Sequence, residues 1–576
     1  MADFDLQRSR EQTAREQAGV TRISRATAWL LTLTLLLLIG LVTVSQHIHD
    51  WRAALRGERT TWLPQSLEIF QAVPLAIDVF RTSDQAFFSR VLAANRLLLQ
   101  EMGSFEDDLE DASILGQIVR PGMQTALVHL GVGNEQAYIG RDGWLFYRPG
   151  LDYLTGPGFL EPRQLARRAA AGNEWQPAPQ PDPRKALIDL HRQLQARDIE
   201  LVIMPTPVKP MAHPEMFAAG LSATTPLNNP SFAAFLRDLN QAGILVFDPL
   251  PGLMQAKAET GRPQFLATDT HWRPEAMQRA AQELGNFLHQ HDLLPQQQAP
   301  AGFRTRPAEI AHIGDIANML ELPRNSPLFP PETVPLQQVL DAQDNFWRPD
   351  PEADVLLLGD SFTNIFALEP MGWGESAGLA EHLSLALQRP VDRIARNDHG
   401  AFATREILAR ELARGRDRLE GKRVVIHQFA ARELAVGDWK LIDLELGEPL
   451  PSLFFQPEPD QPLEVRAVVA AASPVPRPGS VPYADHILSL HLVDLEHDGA
   501  LLADPQAVVY TWGMRDNVWT PAARLRPGDE VTIRLRAWGD VADAYDGINR
   551  SELDDFALQL EEPTWGEFLN DADQPV

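Results

Sequence analysis

The chain has 576 residues, too many for one ordinary hydrophobic core, and its 44% hydrophobic content predicts that most of it folds, in about three units. A net charge of -27, from 51 basic and 78 acidic side chains, argues against nucleic acid as a partner and against polyphosphate capture. The absence of cysteine excludes disulfides, thiol catalysis and cysteine-ligated metals.

In chain order, residues 1–25 read as a cytoplasmic segment carrying Arg8, Arg10, Arg15, Arg22 and Arg25. Residues 26–44 follow as an uncharged, leucine-rich stretch of transmembrane length. The preceding arginines keep the N-terminus cytoplasmic and send the rest of the chain to the extracytoplasmic, periplasmic side. The apolar run exceeds a signal-peptide core and no Ala-x-Ala-like site follows it, so the reading is a retained single-pass anchor in the cytoplasmic membrane.

Residues 45–134 read as a helical stalk or cap, with apolar residues recurring through Phe70–Phe80 and Phe87–Leu99. The run Glu106–Asp111 reads as a solvated acidic face. From 135 to 450, short apolar strands (Leu201–Met204, Ile244–Phe247, Val355–Leu358, around Ile394, Val424–Ile426) alternate with helical stretches such as Lys185–Arg197 and Pro274–His289. That alternation predicts an α/β fold: a parallel, doubly wound sheet covered on both faces, with ligands beyond the carboxyl ends of its strands. Residues 460–560 change to strand-and-turn patterning, with candidates at Ile487–Leu495, Val508–Trp512 and Glu530–Trp538, and predict a small β-barrel or sandwich. Residues 561–576 read as a loose acidic tail.

Two motifs carry chemistry. Gly359-Asp-Ser-Phe362 follows the strand Val355–Leu358 and precedes a helix-compatible segment, so Ser361 stands on a strand-to-helix turn with its hydroxyl toward the ligand crevice. The tetrapeptide also fits a plain helix N-cap by Asp360 or Ser361. Asp269-Thr-His271-Trp272 lies just before Pro274, in the loop entering a helix. Residues two apart on an extended loop project to one side, so Asp269 can orient His271 and leave its other ring nitrogen for a serine hydroxyl. A capping Asp269 with a satisfied His271 is the alternative. Together the motifs supply nucleophile, base and orienting carboxylate for acyl chemistry. A metal site made of His271, Asp269 and either His213 or His399 lacks any His-Glu-x-x-His-type spacing, and no metal is assigned.

The motifs Tyr138–Tyr147, Pro205-Thr-Pro-Val-Lys209, Thr268–Trp272, Gly359–Phe362 and Gln428–Leu434 together resemble the SGNH-hydrolase-like family of alginate O-acetyltransferases, the AlgJ/AlgX type. In that family Asp-x-His precedes Gly-Asp-Ser, the order seen here. The resemblance implies an SGNH-hydrolase-like catalytic domain at 135–450, with Ser361 as nucleophile, His271 as base and Asp269 as its orienter. It implies an acetyl-serine intermediate passed to a hydroxyl of an exported polysaccharide. It also implies no cofactor in the chain itself, because a membrane-bound O-acyltransferase partner of the MBOAT type supplies the acetyl groups. Gly400 resembles the glycine that gives a second oxyanion donor beside the Ser361 amide. Asn364 and Asn397 are candidates for a third, with structural loop roles as the alternative for either, and Arg432 matches an arginine near the site, with a surface ion pair as its alternative.

In the C-terminal region Trp512, Trp519 and Trp538 offer aromatic faces for glycan stacking, with ordinary β-core packing or docking of a partner protein as the alternatives. A carbohydrate esterase or a non-catalytic polysaccharide-assembly scaffold remains compatible with the same motifs.

Overall fold

The computed structural model describes residues 24–55, scattered positions between 67 and 105, and 113–568 except 172–177, 296–298, 324–325, 449–453, 479–480 and 482. The segment 1–23, the acidic run 106–111 and the last residues, 569–576, lie outside the described residues. The chain divides into two compact units, 1–120 and 121–576.

In the first unit, Arg25–Leu55 forms one helix, and its side chains Trp29, Leu30, Leu31, Leu33, Leu35, Leu36, Leu41 and Val44 are exposed. Among the described residues no helix is long and apolar enough to cross a membrane, so the expected transmembrane helix at 26–44 is not supported there. Of the following region, the described residues include helices at Ala72–Thr82 and from Ile114 to His129.

The second unit is built on a five-stranded parallel sheet. Its strands are β1 (Glu200–Thr206), β2 (Leu245–Val246), β3 (Val355–Gly359), β4 (Asp392–Ala395) and β5 (Val424–Ala430), in the order β2-β1-β5-β3-β4. Every residue of β3 and β5 is buried, and successive side chains point to opposite faces, so both faces are covered. The covering helices include α1 (Pro183–Gln195), α2 (Phe232–Gln241), α3 (Leu250–Thr260), α4 (Pro274–Gln290) and α5 (Leu379–Leu387). Helix α1 packs with α2, and α4 with both α3 and α5. The strand register aligns Thr206 with Ala430, Leu358 with His427, and Gly359 with Ala395. The carboxyl ends of β1, β3, β4 and β5 therefore meet along one edge.

Two antiparallel hairpins flank this sheet, pairing Ala137–Ile139 with Leu145–Tyr147 and Arg304–His312 with Glu332–Leu340. The second was not expected, since Arg304–His312 is charged and mostly exposed and lacks a strand-like apolar face.

The C-terminal strands β6 (Leu463–Ala472), β7 (His486–His497), β8 (Gln506–Arg515), β9 (Glu530–Ala537) and β10 (Pro563–Phe568) close on themselves in the order β7-β6-β9-β10-β8, with β8 pairing back to β7. This is a barrel, filled by Val465, Leu488, Leu490, Val509, Ile533 and Leu535. Strand β10 corrects the expected boundary at 560. Thr564 and Trp565 are buried staves of the barrel, although acidic neighbours make the stretch read as tail.

Candidate active site

Ser361 follows β3 at the start of a single helical turn, Ser361–Asn364, and is 5% exposed. Asp360 is the N-cap, its Oδ1 accepting from Phe362 N at 2.9 Å, so the capping alternative is realised in the same motif that presents the serine. Neighbouring strands fix this turn. Gln428 on β5 accepts from Asp360 N at 2.9 Å and from Thr363 Oγ1 at 2.7 Å, and donates to Asp360 Oδ1 at 2.8 Å. Asp360 Oδ2 accepts from Ala430 N at 2.6 Å. A strained or mobile nucleophile turn would waste the alignment of a catalytic hydroxyl, and this one is tied at both ends.

The loop 265–273 closes on itself through Leu266 N donating to His271 O at 3.1 Å, and its Trp272 is fully buried, with Nε1 donating to Phe362 O at 3.2 Å. This places the imidazole over the serine. His271 Nε2 lies 2.8 Å from Ser361 Oγ, and His271 Nδ1 lies 2.7 Å from Asp269 Oδ1. With Nδ1–H donating to the carboxylate, Nε2 is left as the acceptor for the serine hydroxyl. Asp269 is 1% exposed, and its second oxygen, Oδ2, accepts from Asp315 N at 3.0 Å and from Trp373 Nε1 at 2.8 Å. Burial acts to raise this carboxyl. The hydrogen bond and charge of His271, with the amides of Asp315 and His271, outweigh it and hold Asp269 well below the usual carboxylate range.

The loop is cradled by the turn at 314–317. Gly314 N donates to Thr268 Oγ1 at 3.3 Å, and a Cβ built on Gly314 would lie 2.3–2.4 Å from the backbone of Thr268 and Asp269. Only glycine permits that approach. Asp315 Oδ1 accepts from Thr270 N at 2.7 Å. Beneath the loop, Lys209 is buried, donating to Leu145 O at 2.7 Å and Ala267 O at 3.1 Å. Burial lowers its ammonium to about 8 against the opposing pull of Asp269, Asp315 and Glu332.

Ligand atoms of Asp269, His271 and Asp315 lie within 4.8 Å of one another, but both ring nitrogens of His271 are engaged by Asp269 and Ser361. His213 is engaged elsewhere, with Glu215 Oε1 at 3.1 Å and Gln264 N at 2.9 Å, and His399 has an exposed side chain paired loosely with Asp398.

The remaining expected site residues divide. Gly400 stands beside Asp360 and Phe429, and its carbonyl accepts from His427 Nε2 at 3.1 Å. Asn364 is buried, and its Nδ2 donates to Asn397 Oδ1 at 2.9 Å and to Gly547 O at 3.3 Å. Both its N–H groups are spent, which removes Asn364 as an oxyanion donor. Asn397 keeps its own Nδ2. Arg432 is buried, its guanidinium 5.3 Å from the centre of the Tyr147 ring and its Nη1 without a hydrogen-bond partner. Trp512 and Trp538 do not form an open stacking surface. They pack around Trp565, itself 2% exposed, with ring centroids 5.5 and 6.3 Å away, while Trp519 Nε1 donates to Pro476 O at 2.8 Å. This cluster also contains Leu368, seven residues after the serine, so the barrel packs against the nucleophile segment.

Sequence reasoning missed Trp373, Asp315 and Gln428 as partners of the site. Gln428 had a signal, a polar residue inside the apolar run Val424–Phe429, where a buried strand carries polarity only for a purpose. Trp373 and Asp315 have none, because only tertiary packing brings them to Asp269.

Comparison with known proteins gives one family match, to the SGNH hydrolase-like domain of acetyltransferase AlgX, over residues 137–431. Among curated relatives, the chain is similar to the probable alginate O-acetylase AlgJ of Pseudomonas aeruginosa, 33% identical over 203 residues (34% of this chain and 43% of that protein). It is also similar to that of Azotobacter vinelandii, 32% identical over 242 residues (40% and 56%). The chain spans about half the length of the curated relatives it matches. Among solved structures it is similar to the O-acetyltransferase domain of Pseudomonas putida AlgJ, at 21% identity and a TM-score of 0.40, covering 52% of this chain and 93% of that one.

Proposed function

Because the chain belongs to the AlgX family of SGNH-hydrolase-like acetyltransferases, we propose that it is an O-acetyltransferase that carries an acetyl group on Ser361 and delivers it to a hydroxyl of an exported polysaccharide. The observation that carries the reading is the continuous line from Ser361 Oγ to His271 Nε2 at 2.8 Å and from His271 Nδ1 to Asp269 at 2.7 Å.

In the first half-reaction His271 Nε2 takes the Ser361 proton as Oγ bonds to the acetyl carbonyl carbon, and the imidazolium returns that proton to the departing group. In the second, His271 takes the proton of an acceptor hydroxyl, whose oxygen attacks the acetyl-serine, and Ser361 leaves with the proton. Asp269 holds the imidazole orientation and stabilises its charged form. The Ser361 amide, the Gly400 loop and the free Nδ2 of Asn397 are the candidate donors to the oxyanion. Arg432, with an unpaired Nη1, is the candidate cation facing donor or acceptor.

The relatives are probable alginate O-acetylases, which makes alginate the model for the acceptor class. The uncharged stretch 26–44 and the arginines before it are the grounds in sequence for placing the site on the extracytoplasmic side of the cytoplasmic membrane, beside a membrane-bound O-acyltransferase that donates acetyl groups. The acidic balance of the chain favours a neutral acceptor over a polyanion unless a local basic groove intervenes.

The test is to give the full-length protein an acetyl donor with and without a candidate glycan, for wild type and Ser361→Ala. Acetylated glycan from wild type alone supports the transferase. Acetate release that glycan never diverts makes the protein an esterase, and equal behaviour of the two proteins removes both.

A further inference from the structure

Asp315 touches the triad, and the mechanism leaves its side chain unused. Its backbone amide donates to Asp269 Oδ2 at 3.0 Å, while its side-chain Oδ1 accepts from Thr270 N and from Ile316 N, each at 2.7 Å. Main chain and side chain of one residue thus grip the Asp269–His271 loop from both sides. The second carboxyl oxygen does something different. Asp315 Oδ2 is buried, has no donor in hydrogen-bond geometry, and lies 3.9 Å from His271 Nδ1.

We infer that Asp315 is a positioning residue of the acyl-transfer site: Oδ1 clamps the backbone between Asp269 and His271, and Oδ2 presents a second, proton-exchanging carboxyl to the imidazole. The inference rests on the proposed acyl transfer through Ser361. An isolated buried oxygen with no donor is costly as a carboxylate and cheap as a carboxylic acid. Burial, then the charge of Asp269, push this carboxyl up to about 7, against the charge of His271 and the hydrogen bond from the Thr270 amide. The groups around it are Asp269 and His271 on the loop, Lys209 on the turn after β1, Glu332 and His312 on the hairpin 304–340, and Tyr147 on the N-terminal hairpin. Lys209 is a buried cation on which Asp269, Asp315 and Glu332 all pull, and Glu332 is also paired with Arg273.

The consequence for catalysis is electrostatic and involves no extra proton transfer. When Ser361 gives its proton to His271, the imidazole becomes positive. With Asp315 protonated, only Asp269 faces that charge. With Asp315 ionised, a second negative charge stands behind Nδ1 and favours the imidazolium of the transition state. Turnover therefore rises as Asp315 ionises.

The experiment measures kcat against pH for the full-length protein with 4-nitrophenyl acetate as acyl donor, in wild type, Asp315→Asn and Ser361→Ala. Asparagine keeps the Oδ1 acceptor and cannot ionise. The expected result is a wild-type profile with an added rise centred near pH 7, and an Asp315→Asn profile that matches it at the acid end, lacks the rise and runs about tenfold lower at the alkaline end, with KM unchanged. An Asp315→Asn profile parallel to wild type at every pH overturns the inference while leaving Ser361 catalysis intact. Turnover that Ser361→Ala does not abolish overturns the reading of the site and this inference with it. A readout independent of turnover is the infrared band of a protonated carboxyl that titrates near neutrality: its loss in Asp315→Asn supports the assignment, and its persistence contradicts it.

Discussion

Trp373 Nε1 donates to Asp269 Oδ2 at 2.8 Å, so the acid of the triad is held by an indole 104 residues further along the chain. Hydrogen bonds to a buried carboxylate are strong, contributing roughly 1.5–3 kcal/mol each. Trp373 is fully buried, and its ring packs edge-on against His312 at 5.4 Å, so the residue both fills the space behind Asp269 and pins its rotamer. Trp373→Phe keeps most of the volume and removes the donor. The expected outcome is a fall in kcat of about tenfold or more with a cooperative melting curve retained. A kcat equal to wild type would show that the Asp315 amide alone suffices to orient Asp269.

The barrel reaches the catalytic turn through Gly547. A Cβ at that position would stand 2.7 Å from Leu368 Cδ1 and 3.0 Å from Asn364 Nδ2, the amide that bonds the Gly547 carbonyl and Asn397. Gly547→Ala therefore presses on the segment carrying Ser361 from a residue well outside the motifs. The expected result is a loss of about 1–3 kcal/mol in stability and a several-fold drop in turnover, read by denaturant melts and 4-nitrophenyl acetate assays. Unchanged values in both would mean that the barrel sits on the catalytic domain without bearing on its chemistry.

Acid sensitivity is expected from Glu552, which sits 3.2 Å from Arg410, 3.4 Å from Arg550 and 2.9 Å from the Tyr510 hydroxyl. Burial alone would raise its carboxyl, but the three guanidinium groups of Arg410, Arg550 and Arg396 and the tyrosine hold it at about 2. Its folded value is below the unfolded one, so the unfolded chain binds more protons between the two. The stabilisation is complete above about pH 4.5 and is lost as pH falls through about 2, a change of roughly 3 kcal/mol. Glu552→Gln should flatten the dependence of the urea midpoint on pH below about 4.5 and lower it at neutral pH, where the buried Arg396 and Arg550 and the half-buried Arg410 lose their anion. Identical slopes for the two proteins would remove Glu552 as the acid-sensitive group.

Much of this arrangement is legible in the residues. The apolar runs at Leu201–Met204, Val355–Leu358 and Val424–Ile426 read as buried parallel strands because nothing but a two-sided core suits them, and each lies within the strand observed. Ser361, His271 and Asp269 converge because the strand-end and pre-helix positions of their motifs fix them at the same edge of the sheet. The illegible part is tertiary. Asn364 fits an oxyanion donor or a structural loop residue in sequence, and the structure decides for the latter, its amide being consumed by Asn397 and Gly547. Trp512 and Trp538 fit both glycan stacking and ordinary core packing in sequence, and the structure packs them around Trp565, which lies in a stretch taken for tail. Local pattern carries the faces of elements, but not which element covers them.

The most direct test of the central claim is intact and peptide mass spectrometry of the full-length protein after brief exposure to 4-nitrophenyl acetate, with wild type, Ser361→Ala and His271→Ala in parallel. Wild type is expected to carry a single acetyl group on the peptide containing Ser361. Ser361→Ala should carry none, and His271→Ala should acquire it about 100-fold more slowly or worse. Acetylation of wild type at another residue, or equal labelling of all three proteins, would contradict acyl transfer through Ser361.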